Sequence, residues 1–350
     1  MRKRYLDIMA LVQCFEKSDI FLTMTCNPAW PEIKECLLDE EESHNRHDLT
    51  VHVFRTKFEM LKDDIVKWSL FGKVVAYAYV IEFQKRGLPH AHILIILDKD
   101  SKLYSPETSD KIVSAELPNP AVSKYLHGLV VNHMLHGPCG DFNQNCLCMK
   151  QNGRCKNSIP KPFLEFTKHG KNSYLLYKRP NNGRKVLVRG HELDNQWVVS
   201  CNPYLLATYD YHLNVEICST IEAVKYLYKY IYKGHTRILY QLVAQQIDGI
   251  VDEIKNFQFE RWICAPEALW QIYAFDLNQI YPAVMALQLH FEGQQSLAFN
   301  ENDELENIAA CDRSSRIMLT EFFRMNRSNA KVKSLQWLYK EFPQHFRWDK

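Results

Sequence analysis

Apolar residues fall at helical spacing from Tyr5 to Lys17, with Leu6, Met9, Ala10 and Gln13-Cys14 along one side, which predicts a first helix. Asp19 then opens a run of β-formers, Ile20 to Cys26, stopped by the turn signal Asn27-Pro28. From His52 to Ser69 the helical period returns in Val53, Phe54, Phe58, Leu61, Ile65 and Trp68. Two strands follow, Val74 to Gln84 and His90 to Leu97, joined by Lys85-Arg86-Gly87-Leu88-Pro89, a connection of hairpin length. Further along, Val186-Leu187-Val188 and Trp197-Val198-Val199 read as short strands, Asn202-Pro203 as a turn and Thr220 to Lys233 as a helix. Ala265 to Tyr273 reads as another helix, with Pro266 near its start. This order predicts an α+β fold: a central antiparallel sheet of about five strands with packed helices, the histidine strand in the middle. The expected division is a domain over 1–240, interrupted by an insert at about 131–190, and a mainly helical accessory region over 241–350.

Composition narrows this picture. The 350 residues carry 43 Lys plus Arg against 41 Asp plus Glu, so the net charge of +2 favours no class of partner as a whole. Locally the balance breaks, because residues 150 to 189 hold eleven Lys or Arg against the single Glu165. Apolar runs such as Val74 to Ile81 fall well short of the roughly 20 residues a membrane helix needs, so no membrane partner is expected. The basic start Met1-Arg2-Lys3-Arg4 leads into Asp7, Glu16 and Asp19 without a small-residue cleavage site, unlike a secretory signal. Eleven cysteines suit a reducing compartment, where a tight cluster reads as a metal site.

The sharpest chemistry lies in Pro89-His90-Ala91-His92-Ile93. In a strand alternate residues share a face, so His90 and His92 project together as a bidentate imidazole platform. Glu82 and Gln84 share one face of the preceding strand. A regular hairpin with 85–89 as its loop sets Gln84 opposite His90 and Glu82 opposite His92. Two imidazoles with one amide or carboxylate oxygen and open positions suit a catalytic Mg2+ or Mn2+ rather than a closed zinc site. Two half-exposed histidines at a sheet end are the plain alternative, and the facing Glu and Gln favour the metal.

A second constellation is Lys225-Tyr226-Leu227-Tyr228-Lys229-Tyr230-Ile231-Tyr232-Lys233-Gly234. On a helix Tyr226 and Tyr230 share a face, while Tyr228 and Tyr232 share nearly the opposite one. A phenol of pKa about 10 attacks phosphorus only when a metal polarises the phosphate and cations favour the phenolate. Lys225, Lys229 and Lys233 are at hand for that. Helical spacing alone leaves open which pair serves chemistry and which packs.

In the insert, Cys139, Cys146, Cys148 and Cys155 fall within seventeen residues, just after His133 and His136. Four such ligands bind Zn2+ tetrahedrally in structural sites. The spacing differs from a standard zinc ribbon. The basic run beyond is suited to phosphate contacts.

Three stretches in order, Phe21 to Ile33, Glu82 to His92 and Lys225 to Gly234, resemble the replication-initiator half of Helitron rolling-circle transposases, which carry the HUH nuclease signature. The resemblance extends to His136-Gly137-Pro138-Cys139-Gly140, Asn202-Pro203-Tyr204-Leu205-Leu206, Pro266-Glu267-Ala268 and Glu341-Phe342-Pro343. It implies a metal-dependent endonuclease and strand transferase acting on single-stranded DNA at transposon ends. In such an enzyme the histidine pair and Glu82 or Gln84 hold the ion, and a tyrosine attacks to leave a 5′-phosphotyrosine. Carried over, the nucleophiles are Tyr226 and Tyr230, with Lys225, Lys229, Lys233 and Arg86 at the DNA. Relatives imply Cys139, Cys148 and Cys155 as the recurring thiolates, with His136 or Cys146 completing a structural zinc site. A nuclear location follows from the same likeness. Two features depart from it. No Gly-x-x-x-x-Gly-Lys-Ser/Thr loop occurs, so the helicase ATPase module of full-length relatives is absent here, and Val199-Ser200-Cys201 replaces the usual residues before Asn202. A degenerate fragment that grips single-stranded DNA without cutting it is the alternative reading.

Overall fold

The computed structural model describes residues 2–84, 87–103, 105–170, 175–218, 263–291, 294 and 316–347. Two compact units divide the chain, Met1–Val284 and Met285–Lys350. In the first, α1 (Arg2–Phe15) leads into β1 (Ile20–Thr25), and α2 (His47–Val66) precedes the hairpin of β2 (Val74–Phe83) and β3 (Pro89–Leu97). A short α3 (Lys124–Leu129) continues into a π-helical turn, Val130–Met134. The insert carries two small hairpins, β4 (Lys168–His169) with β5 (Leu175–Leu176) and β6 (Val186–Val188) with β7 (His191–Leu193). Then come α4 (Pro203–Tyr209), β8 (Leu213–Ile217), α5 (Ala265–Ile272) and β9 (Asn278–Tyr281).

The fold is α+β around a five-stranded antiparallel sheet of order β8-β1-β3-β2-β9. The histidine strand β3 is central, and all nine of its residues are buried. Alternation sorts them. Ala91, Ile93, Ile95 and Leu97 join the main core, where α2 lays Val51, Phe54, Phe58, Leu61 and Ile65 at helical spacing over the sheet. Trp270 of α5 closes that core, its ring 6.1 Å from Phe54 and 6.0 Å from Phe83. On the opposite face Leu94 and Ile96 meet Ile8, Leu11 and Val12 of α1.

Several expectations shift by a few residues for identifiable reasons. The second helix begins at His47, five residues before His52, because Arg46 joins Glu41 and Asp48 in an ion-pair cluster at its start. Asn202-Pro203 starts a helix rather than a turn: the Asn202 side chain accepts from Leu205 N at 2.9 Å and Pro203 takes the first helical position. Trp197-Val198-Val199 forms no strand; a 3-10 turn ends at Trp197, and Val198 makes one bridge to Leu135. The sheet unit also reaches beyond 240, since α5 and β9 complete it. The predicted helix 220–233 lies outside the described residues. Among the described residues no helix is long and apolar enough to cross a membrane.

The second unit holds α6 (Met318–Ser328) and α7 (Ala330–Leu335), with the Asn329 side chain capping α7 through Lys331 N and Val332 N. Its small core is aromatic: Phe322 meets Phe342 at 5.0 Å, and Trp337 stacks on His345 at 3.9 Å.

Removing bulk from the central strand should be costly. Ile95→Ala, at a fully buried position, should lose about 2–5 kcal/mol in urea unfolding, whereas Leu38→Ala, at a position 72% exposed, should change stability by less than about 0.5 kcal/mol.

Candidate functional site

Strand alternation puts His90 and His92 on the α1 side of β3, and both are buried. Their rings meet edge to face with centroids 4.5 Å apart. Thr25 pairs with His90 on the neighbouring strand and its Oγ1 lies 2.8 Å from His90 Nδ1. That contact leaves Nε2 as the nitrogen available to a ligand. Burial first, then the neighbouring His92, push the His90 imidazolium down to about 3, so the ring is neutral and able to donate a lone pair at neutral pH. Phe21 stacks on His92 at 5.8 Å, and Glu82 Oε1 lies 3.5 Å from His92 Nε2.

The hairpin register differs from the expected one. Glu82 pairs with His90 and Val80 with His92, because Phe83 pairs with Pro89. Pro89 belongs to the strand rather than the loop. The turn closes one residue earlier, with Gly87 N donating to Gln84 O at 2.7 Å and Gln84 N to Leu88 O at 3.0 Å. Gly87 has φ +82°, and a Cβ there would sit 3.2 Å from the Pro266 ring, so this compact turn requires glycine. Glu82 therefore sits directly across from His90 and diagonally from His92. Gln84 is exposed at the start of the turn, outside the strand pairing. Arg86 and the Lys225, Tyr226, Lys229, Tyr230 and Lys233 set lie outside the described residues.

The insert forms a second constellation. His136 follows the π-helical turn and is tied to the body by its N–H, which donates to Trp197 O at 2.9 Å. A tight turn after Cys139, with Asn143 N donating to Gly140 O, redirects the chain. Cys148 and Cys155 then lie on the two arms of a hairpin in which Met149 bridges Cys155 and Lys156 N donates to Cys148 O at 2.7 Å. The ligand atoms of His136, Cys139, Cys148 and Cys155 all lie within 4.8 Å of one another, and this is the one such group among the described residues. The four residues could hold a metal such as zinc. Cys146 stands outside the group, its Sγ donating to Pro138 O at 3.2 Å, so His136 is the fourth member. Burial, followed by the neighbouring sulfurs, pushes the Cys139 thiol up to about 12. For Cys155 burial acts upward too, but the backbone N–H groups of Ile159 and Asn157 and the thiols of Cys139 and Cys148 outweigh it and lower its pKa.

Other polar residues gather on the histidine face from β8. Asn214 pairs with Thr23, which pairs with His92, forming one row across three strands. Glu216 accepts from Ser200 Oγ at 2.7 Å and is held uncharged to higher pH by its burial. His212 accepts through its carbonyl from Thr25 N, and its Nδ1 donates to His133 O at 2.6 Å. Its charge depresses His90 further. The period-two signal His212-x-Asn214-x-Glu216 was present in the sequence as a half-polar strand.

Fold and sites together define an α+β domain with a buried two-histidine face and a separate, closed metal-ligand cluster. Residues 1–95 match the family described as the Helitron helicase-like domain at N-terminus, so this segment is similar to that domain. The match takes in α1, β1, α2, β2 and both histidines. Comparison with curated proteins gives no match.

The two sites give separable tests. Purified protein should retain about one zinc per chain through dialysis; Cys139→Ser should abolish that retention, and Cys146→Ser should preserve it, as read by elemental analysis. For His90, the folded pKa near 3 lies below the 6.5 of an unfolded histidine, so between these values the unfolded chain binds more protons. The stability it contributes is present above pH 6.5 and is lost as pH falls toward 3. Denaturant unfolding in chelator, taken at about pH 7.5 and about pH 5, should show the wild type losing about 1–2 kcal/mol more than His90→Asn.

Proposed function

We propose that the chain is a metal-dependent single-stranded DNA endonuclease and strand transferase of a Helitron-type rolling-circle transposon. The observation that carries this reading is the pair of buried imidazoles 4.5 Å apart on the central strand, with Glu82 3.5 Å from His92, inside the segment that matches the Helitron domain. His90, His92 and Glu82 would hold a Mg or Mn ion, whose contribution when bound is Lewis-acid polarisation of the scissile phosphate. Thr25 fixes the His90 ring through Nδ1, and Phe21 braces His92, so both rings are held in place before any substrate arrives.

The resemblance assigns the nucleophile to Tyr226 and Tyr230. In the reaction one phenolate oxygen attacks phosphorus, the bond from phosphorus to the 3′ oxygen breaks, and the strand leaves with a 3′-OH while its other end stays on tyrosine as a 5′-phosphotyrosine. Lys225, Lys229, Lys233 and Arg86 would offset the phosphate charge. With two tyrosines, a second strand can be taken up before the first is released, as transfer between transposon ends requires. Action on chromosomal DNA sets the site of this activity in the nucleus.

Incubation with Mn2+ and an end-labelled single-stranded oligonucleotide should yield a covalent adduct that survives denaturing electrophoresis. His92→Ala and the double variant Tyr226→Phe with Tyr230→Phe should each reduce the adduct to background. Tyr228→Phe with Tyr232→Phe should leave it within about threefold of wild type, since neither change removes the assigned nucleophile. An adduct persisting in the Tyr226/Tyr230 variant refutes the assignment, and binding without any adduct in the wild type supports the alternative of a grip without cleavage.

A further inference from the structure

The metal-ligand cluster carries an aromatic stack on its outer side. Phe142, three residues after Cys139, is placed by the Gly140 to Asn143 turn. Its ring stacks on His191 at 4.5 Å and 27°, and on Trp197 at 5.6 Å and 28°. Trp197 is buried against Cys139 and Cys155 in the insert's own small core, which makes it a firm base for the stack. Phe142 nevertheless remains 45% exposed, so ring surface stays open to a further planar group. An aromatic side chain held rigid by neighbours and left accessible loses little freedom when a ligand stacks on it.

The charge around this stack is mixed: Asp141 and Glu192 adjoin Phe142 and His191 in sequence, Lys185 pairs with Glu192 at 2.8 Å, and Arg189 is the cation left over. Arg189 sits in the β6–β7 turn, two residues before His191, and its Nη1 lies 3.7 Å from the point where a side chain on Gly137 would begin. It is exposed and has no carboxylate partner among the described residues. The surrounding segment 150–189 holds eleven Lys or Arg against Glu165 alone. Leu187, on the outer face of β6, and Leu147, next to Cys148, are also strongly exposed. Stacking rings with one exposed arginine two residues along the chain match the two needs of a single strand, whose bases have free π-faces and whose backbone is anionic. A duplex hides its base faces, so it gains only the charge term.

We propose that the Phe142–His191 stack with Arg189 is a binding site for single-stranded DNA, separate from the histidine face, and that the metal-ligand cluster serves to hold it in shape. The proposal rests on the single-strand substrate of the preceding section but not on cleavage. Fluorescence anisotropy with a labelled oligonucleotide and no added divalent ion tests it on the full chain. Phe142→Ala should weaken single-strand binding roughly fivefold to a hundredfold, while Phe142→Trp should retain it. Arg189→Ala should reduce the slope of log affinity against log salt by about 0.7, the share of one phosphate contact on a single strand. Retained zinc content and an unchanged circular dichroism spectrum establish that each variant folds. Wild-type affinity in both folded alanine variants, or equal losses on a duplex of the same length, overturns the proposal. A wild type that forms no adduct but shows these losses keeps this site and discards the nuclease. An adduct-forming wild type whose variants bind normally does the reverse.

Discussion

Placing two imidazoles in the buried middle strand of a sheet is expensive unless their nitrogens are met by other polar groups, and the histidine face is arranged around that demand. Thr25 comes from one neighbouring strand and Glu82 from the other, so both β1 and β2 must flank β3 in their observed register. Farther out, Asn214 extends the polar row on β8, and Glu216 on the same strand is satisfied by Ser200. Apolar cover from α1 begins at the next position on that face, Leu94, two residues past His92. A single strand thus passes from a polar end to a fully apolar one, and the helix that covers it packs only on the apolar part.

The two ligand groups differ in a way that separates their chemistry. In the insert, three sulfurs and an imidazole close on a common centre within 4.8 Å, which is the habit of a site that holds structure. On the sheet, two imidazoles and one carboxylate are spread more widely, with ring centroids 4.5 Å apart and Glu82 Oε1 3.5 Å from His92 Nε2. Softness of ligand points the same way: thiolates select zinc, and a carboxylate with imidazoles accepts harder ions.

Much of this was readable from residue order because the signals are local. Period-two alternation placed His90 and His92 together, and helical spacing found α2 with its start displaced by five residues and its end by three. The hairpin register was harder, since Gly87-Leu88-Pro89 reads as loop, and only the pairing of Phe83 with Pro89 shows that Pro89 is already strand. The choice of His136 over Cys146 depended on a carbonyl, Pro138 O, that no spacing rule reveals. Likewise β9 is four residues with little pattern, paired with β2 in the sheet and with Tyr281 stacked on Tyr77 at 5.3 Å across just over two hundred residues of chain. Long-range pairing of this kind leaves no local trace.

The order of strands has a consequence for what the matched segment is. Residues 1–95 supply β1, β2 and nearly all of β3, the three inner strands, while both rims of the sheet come from far later, at 213–217 and 278–281. Left to itself, that segment would show two open rows of backbone donors and acceptors, which are templates for pairing with other chains. The unit of ancestry and the unit of folding are therefore different lengths of the same polypeptide. The portion that carries the family likeness depends on the less recognisable remainder to cover both of its open edges.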